Sequence, residues 1–189
     1  KSLKKKILKH PKADETKRIA FTEQLSQYKQ DNRPIIYLDE SGFKSNDYRP
    51  YAYAPKGQTC CDTHDWQLKN LTNAIGAIHN GQLFSVGLYN HSINSDIFHH
   101  WVKTLLLPQL PANSVVVMDN ATFHKRQDVQ DLFGNAGHTI LWLPPYSPDL
   151  NPIEHTWAWI KQKRKEWRLD CIDSLFFYFI WICNSFEVL

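Results

Sequence analysis

The chain has 189 residues, 42% of them hydrophobic and 13% aromatic, a composition that excludes a disordered polymer and fits one packed domain. Its 22 Lys and Arg against 19 Asp and Glu leave a formal charge of +3, too mild to announce a nucleic-acid partner without local clustering. Cys60, Cys61, Cys171 and Cys183 follow neither zinc spacing nor a secreted disulfide framework; they point to a reducing compartment, with Cys60, Cys61 and His64 read as structural.

The opening carries Lys4, Lys5, Lys6, Lys9 and Lys12 without an apolar signal core and begins on Lys1, so it reads as a basic piece of something longer. Asp14 can cap a helix ending near Asp31 and Asn32, mostly polar, a surface helix or a linker brace. Residues 1–33 are therefore set apart as linker and helix from a domain over 34–189. Ile35 to Leu38 is the unbroken apolar run of a strand covered on both faces, with Asp39 at its C-terminal end. Pro50, Pro55 and Gly57 break residues 47–58 into a hairpin or ordered loop. Leu71 to His79 and Leu83 to Tyr89 flank Asn80-Gly81, a strong hairpin signal, and with the first strand can build an antiparallel half-sheet.

Asn94 to Asp96 starts a helix whose buried side is read as Ile97, Trp101, Leu105 and Leu106. His99 and His100 lie about 100° apart on it and cannot share one ion. Ser114 to Met118 is a second doubly buried strand, again followed by an acid, Asp119. A short helix over Lys125 to Phe133 and a strand over Thr139 to Leu143 follow; alternating strands and helices point to parallel pairing. Leu175 to Cys183 is nine apolar residues, short of the roughly twenty that span a bilayer, so a buried C-terminal helix and no membrane is expected.

Between them lies LPPYSPDLNPIEHTWAWIK, Leu143 to Lys161. Pro144, Pro145, Pro148 and Pro152 stiffen the connector, Asn151 is a good N-cap, Pro152 suits the first helical position, and a helix is predicted to about Trp167 with Ile153, Trp157 and Ile160 as its core stripe. Glu154 has two readings: a capping-box acid reaching back to the cap amide, or a ligand. If the two strands are parallel neighbours, Asp39 and Asp119 emerge at one sheet edge, and the helix of Glu154 could pack across it. Three converging carboxylates repel unless a cation neutralises them, and hard oxygen donors suit Mg²⁺ or Mn²⁺. On this reading the stiff loop presents a preformed ligand set.

LDESGF at Leu38 to Phe43, MDNATFHK at Met118 to Lys125 and YSPDLNPIEHTWAWIK at Tyr146 to Lys161 resemble the three catalytic motifs of the DDE transposases. The nearest branch is the mariner-like superfamily with its bacterial insertion-sequence relatives, whose typical separation matches the 34 residues between Asp119 and Glu154. The resemblance covers about Pro34 to Trp167. It implies an α/β, ribonuclease H-like fold with a mixed five-stranded sheet flanked by helices. It also implies Asp39, Asp119 and Glu154 as a catalytic triad binding two Mg²⁺ (or Mn²⁺) ions, for cleavage at transposon ends and strand transfer into target DNA. Double-stranded DNA is the implied partner, with a homodimer assembled on it, acting on chromosomal DNA in the cytoplasm.

Three features depart from that family: no helix-turn-helix region is evident, Tyr53 stands where Trp is more usual, and the apolar tail after Asp173 has no counterpart. They leave a catalytically inactive or domesticated DNA-binding relic as the alternative. A glycoside hydrolase, needing two acids along an aromatic groove and no metal, ranks lower. Lys125 and Arg126 beside Asp119, and Lys161, Arg164 and Lys165 on the Glu154 helix, are the candidate DNA contacts, against the reading of a solvated charge run. His124 and His155 either bond locally or hold water or phosphate near the metals. Glu40, next to Asp39 on a strand, should face away from the site.

Overall fold

The computed structural model describes residues 11–44, 55–57, 71–167, 169 and 171–185, with backbone only for 180–185. The basic run before Lys12, Tyr53, and the Cys60, Cys61 and His64 group lie outside the described residues, as does the 47–58 loop apart from Pro55 to Gly57.

Five strands form one mixed sheet in the order β3-β2-β1-β4-β5. Strands β1 (Ile35–Lys44), β2 (Leu71–His79) and β3 (Gln82–Tyr89) are antiparallel; β4 (Val115–Met118) and β5 (Thr139–Trp142) run parallel to β1. The β2–β3 turn is the expected Asn80-Gly81, both at positive φ, 50° and 84°, the geometry in which the turn's twist matches that of its strands. All four residues of β4 are buried, as a strand covered on both faces requires.

Strand β1 differs from the sequence reading. It does not stop at Asp39 but continues to Lys44, so Asp39 is the fifth of ten residues. The parallel pairing with β4 covers only Ile35 to Tyr37, whereas the antiparallel pairing with β2 runs on to Lys44 and Leu71. The polar sequence after Leu38 hides this extension, because backbone pairing to β2 sustains it without an apolar row.

The helices cover both faces. Helix α1 (Glu15–Gln30), N-capped by Asp14, lays Phe21 against Val115, Val117, Leu141 and Leu143. Helix α2 (Ser95–Trp101), capped by Asn94, runs into a π-turn over Val102–Leu106. Its buried residues are Phe98, Trp101, Val102 and Leu106, while Leu105 faces out, so the predicted stripe is rotated; the wider π-turn breaks the 3.6-residue count on which it rested. Helix α3 (Gln127–Asn135) adds Val129 and Phe133 to the same core. Helices α4 (Ile153–Trp167) and α5 (Ile172–Ser185) cover the opposite face with Ile153, Trp157, Ile160, Leu175, Phe176 and Phe179. Among the described residues no helix is long and apolar enough to cross a membrane.

Gly76 sets the depth of α4. It pairs with Asp39, and a Cβ there would stand 3.1 Å from the Trp157 ring and 3.2 Å from Leu83. Without a side chain at that point, α4 packs directly against the strand beside Asp39.

Candidate active site

Asp39, Asp119 and Glu154, from β1, the end of β4 and the first turn of α4, line one cleft of about 240 Å³. It opens where β1 outruns β4, which puts it at the carboxyl edge of the parallel strands. Its other wall is the loop from Leu143 to Asn151.

That loop is held at both ends. Leu143 N–H donates to Met118 O at 2.9 Å, extending the ladder past β5, and Asn120 Nδ2 donates to Leu143 O. Tyr146 turns the loop at a φ of 57°, a left-handed conformation that bulky residues rarely adopt. Asp149 receives both guanidinium nitrogens of the buried Arg18, at 2.9 and 2.7 Å, so α1 is clasped to the segment leading into Glu154. Nothing in the sequence signals this pair, whose members lie 131 residues apart.

Asn151 does not cap α4 through its side chain. Its Nδ2 donates 3.3 Å to Leu38 O, the carbonyl just before Asp39, tying the start of α4 to β1. Its backbone N–H donates to Pro148 O at 2.9 Å, so the amide a capping box would use is already taken. Glu154 instead sits exposed on the cleft wall.

The two aspartates sit in opposite surroundings. Burial, and then the neighbouring carboxylates of Glu154, Glu40 and Asp119, push Asp39 up to about 8. Asp119 is held below the usual carboxylate range by the hydrogen bond from His124, aided by the Ala121 amide and by Lys125. Both donors converge on Oδ1, at 2.8 Å each. His124 loses basicity to burial, but its bonds to Asp119 and Glu40 more than restore it and carry it up to about 9.

Among the described residues no three His, Cys, Asp or Glu side chains form a ready ion cage, so the preformed ligand set expected from the stiff loop is not seen. One oxygen of Asp119 is instead turned to His124. The donor chemistry nonetheless fits a hard divalent ion: three carboxylates line one cleft, and Asp39 is raised first by burial and then by acid neighbours whose charge such an ion would offset.

The candidate DNA contacts scatter. Lys125 is exposed beside Asp119, with its ammonium 5.9 Å from the Trp142 ring centre. Arg126 is engaged by Asp96 and Asp128. Lys161 lies over Phe43 at 5.3 Å, and Lys165 is exposed further along α4. Arg164 is only 4% exposed and donates to the carbonyls of Leu169 and Lys44, which places it in the core rather than on a solvent-facing phosphate stripe. Trp157 is core as expected, whereas Trp159 is exposed and packs edge-on to Phe179.

The mixed sheet, helices on both faces and acidic cleft at the parallel edge define a ribonuclease H-like fold. Residues 34–176 match the model of the DDE superfamily endonucleases, and the chain belongs to that family. Its fold is similar to that of the Mos1 transposase in a strand transfer complex, with a TM-score of 0.70, 21% identity, and cover of 100% of this chain and 59% of that one. The catalytic domain of Mos1 mariner transposase gives 0.65 and 18% identity over 97% of this chain and 86% of that one. A structure of that domain with raltegravir and Mn gives 0.66 and 18% over the same shares, 97% and 86%. The chain spans about 60% of the length of the transposase chains in the paired-end and pre-cleavage complexes. No curated protein matches it significantly in sequence.

Proposed function

We propose that this chain is the catalytic domain of a transposase that cuts DNA at transposon ends and joins the freed end to target DNA. The observation that carries the reading is the shared cleft: acids from three separate elements line it, and one of them is raised by burial and then by its acid neighbours. The similarity of the fold to Mos1 transposase in DNA complexes supports the same substrate class.

Asp39, Asp119 and Glu154 would hold Mg²⁺ or Mn²⁺, two ions in this reading. Such ions supply activation of the attacking water or 3′-hydroxyl and stabilise the leaving oxygen in an in-line displacement. Asp119 contributes an ionised carboxylate whose orientation is fixed by the Ala121 amide and His124. Asp39 would contribute the second carboxylate, in its deprotonated form, with the cation offsetting the negative charge around it. Lys125 offers its ammonium to backbone phosphate beside Asp119. A homodimer on DNA completes the assembly.

The test is strand cleavage of matching transposon-end duplex with Mg²⁺. Wild type cleaves, and Asp119→Asn loses about 10³-fold or more. Equal cleavage by that variant sinks the assignment. The relic reading predicts no cleavage by wild type and no divalent-ion binding.

A further inference from the structure

Glu40 follows Asp39 on β1 and so leaves the strand on the opposite face, away from the cleft. It nevertheless reaches the site by another route. Its Oε1 accepts from His124 Nε2 at 2.9 Å, and the other ring nitrogen, Nδ1, donates to Asp119 Oδ1 at 2.8 Å. We propose that Glu40 and His124 form a positioning relay that fixes the Asp119 carboxylate and sets its affinity for a divalent ion, although neither residue touches the ion or the DNA. This rests on the reading of Asp119 as a metal ligand.

Three observations separate the relay from a histidine that merely fills the core. The imidazole is 1% exposed and both its nitrogens face carboxylate oxygens, so it has no atom left for substrate, water or metal. The two bonds lie on opposite nitrogens of one ring, so the imidazole links the Glu40 and Asp119 carboxylates directly. The ring is also wedged between Phe98 and Phe123, with centres 4.4 and 4.2 Å away, which removes its freedom to rotate.

The relay also selects an oxygen. The His124 and Ala121 donors both fall on Oδ1 of Asp119, so Oδ2 is the oxygen left for an ion. A ligand whose direction is set by outer hydrogen bonds loses affinity when those bonds go, typically 10–100-fold. Glu40 thus acts on Asp119 from behind, through one ring.

The experiment is Mn²⁺ titration of the 189-residue chain, followed by the electron paramagnetic resonance of free ion, alongside thermal melts. Asp119→Asn should weaken binding most. Glu40→Ala should weaken it about 10-fold, and His124→Ala by about 10–100-fold. Glu40→Gln, which can still accept from Nε2, should recover most of the affinity lost in Glu40→Ala. Should His124→Ala fail to fold, the two Glu40 variants carry the test, because that side chain is 20% exposed and its replacement leaves the core intact. The relay is overturned if Glu40→Ala binds Mn²⁺ as wild type does while Asp119→Asn does not, or if Glu40→Gln is as weak as Glu40→Ala. Should Asp119→Asn itself bind as tightly as wild type, the ligand assignment falls and the relay falls with it.

Discussion

Asp39 and Asp119 leave neighbouring parallel strands into one cleft, yet one holds its proton to about 8 and the other is held ionised. Residue type, sheet edge and cleft are shared; the difference lies in what stands behind each carboxylate. Asp119 has an amide and an imidazole, whereas Asp39 has burial and three other acids. In the cleft, one carboxylate is therefore charged and oriented, and the other keeps its proton.

The sharpest way to break this contrast is Asp39→Asn. Asp39 binds its proton more tightly folded, at about 8, than at its ordinary 3.8. Folding stability is therefore lost as pH rises from 4 through 8 and stays reduced above, by an amount on the order of a few kcal/mol. Asp39→Asn removes that loss, so its metal-free melting temperature near pH 9 rises roughly 5–10 °C above wild type, while the two coincide near pH 4. Calorimetry at the two pH values checks it, and coincident melts near pH 9 would erase the contrast.

Next in size is Arg18→Ala. Arg18 is buried and Asp149 about a quarter exposed, so removing the guanidinium should cost about 2 kcal/mol in urea unfolding, less than for a fully enclosed pair. It also loosens the loop leading to Glu154, so the Asp39 proton should come off at lower pH, as carboxyl ¹³C shifts would report. An unmoved Asp39 would mean that α1 does not set the depth of Glu154.

Asp119→Asn should move stability in the opposite direction to Asp39→Asn, by about 1 kcal/mol, because it weakens bonds made by a half-exposed ionised carboxylate. With its folded pKa below the ordinary value, that contribution is present at neutral pH and fades as pH falls below about 4. Urea melts at pH 7 and pH 3 measure it; a stabilised Asp119→Asn at pH 7 would make the two aspartates alike.

The smallest expected effect is Lys125→Ala, which should lower the salt slope of DNA binding by about 1 and leave the fold unchanged. A slope equal to wild type would remove Lys125 from the DNA surface.

Much of this architecture was legible because it depends on local rules. The apolar runs of β1 and β4, the Asn80-Gly81 turn and the Asp14 cap each act within a few residues. What escaped depends on pairing across the chain. Asp39 lies mid-strand because β2 supports the polar half of β1. The buried stripe of α2 takes Phe98 and Val102 and leaves Leu105 out, as a π-turn interrupts the helical count. Within the site, the strand rule correctly turned Glu40 away from the cleft, but no spacing could reveal that it meets His124, 84 residues on. Asn151 fits a cap by its local pattern, yet its side chain serves Leu38 instead. Arg164 looked like part of a charged stripe because charge is visible in sequence and burial is not.

The clasp between Arg18 and Asp149 also bears on the order in which the molecule comes together. It joins positions 131 apart, and the Asn151 bond to Leu38 spans 113. Loop-closure entropy makes contacts of that range late and slow, well after the β2–β3 hairpin, whose strands are neighbours in sequence. During synthesis, the sheet's antiparallel half can exist before Glu154 has left the ribosome. A nascent or partly unfolded chain can therefore pair β1, β2 and β3 before the acidic cleft is finished, and the three acids meet only with the last contacts to close.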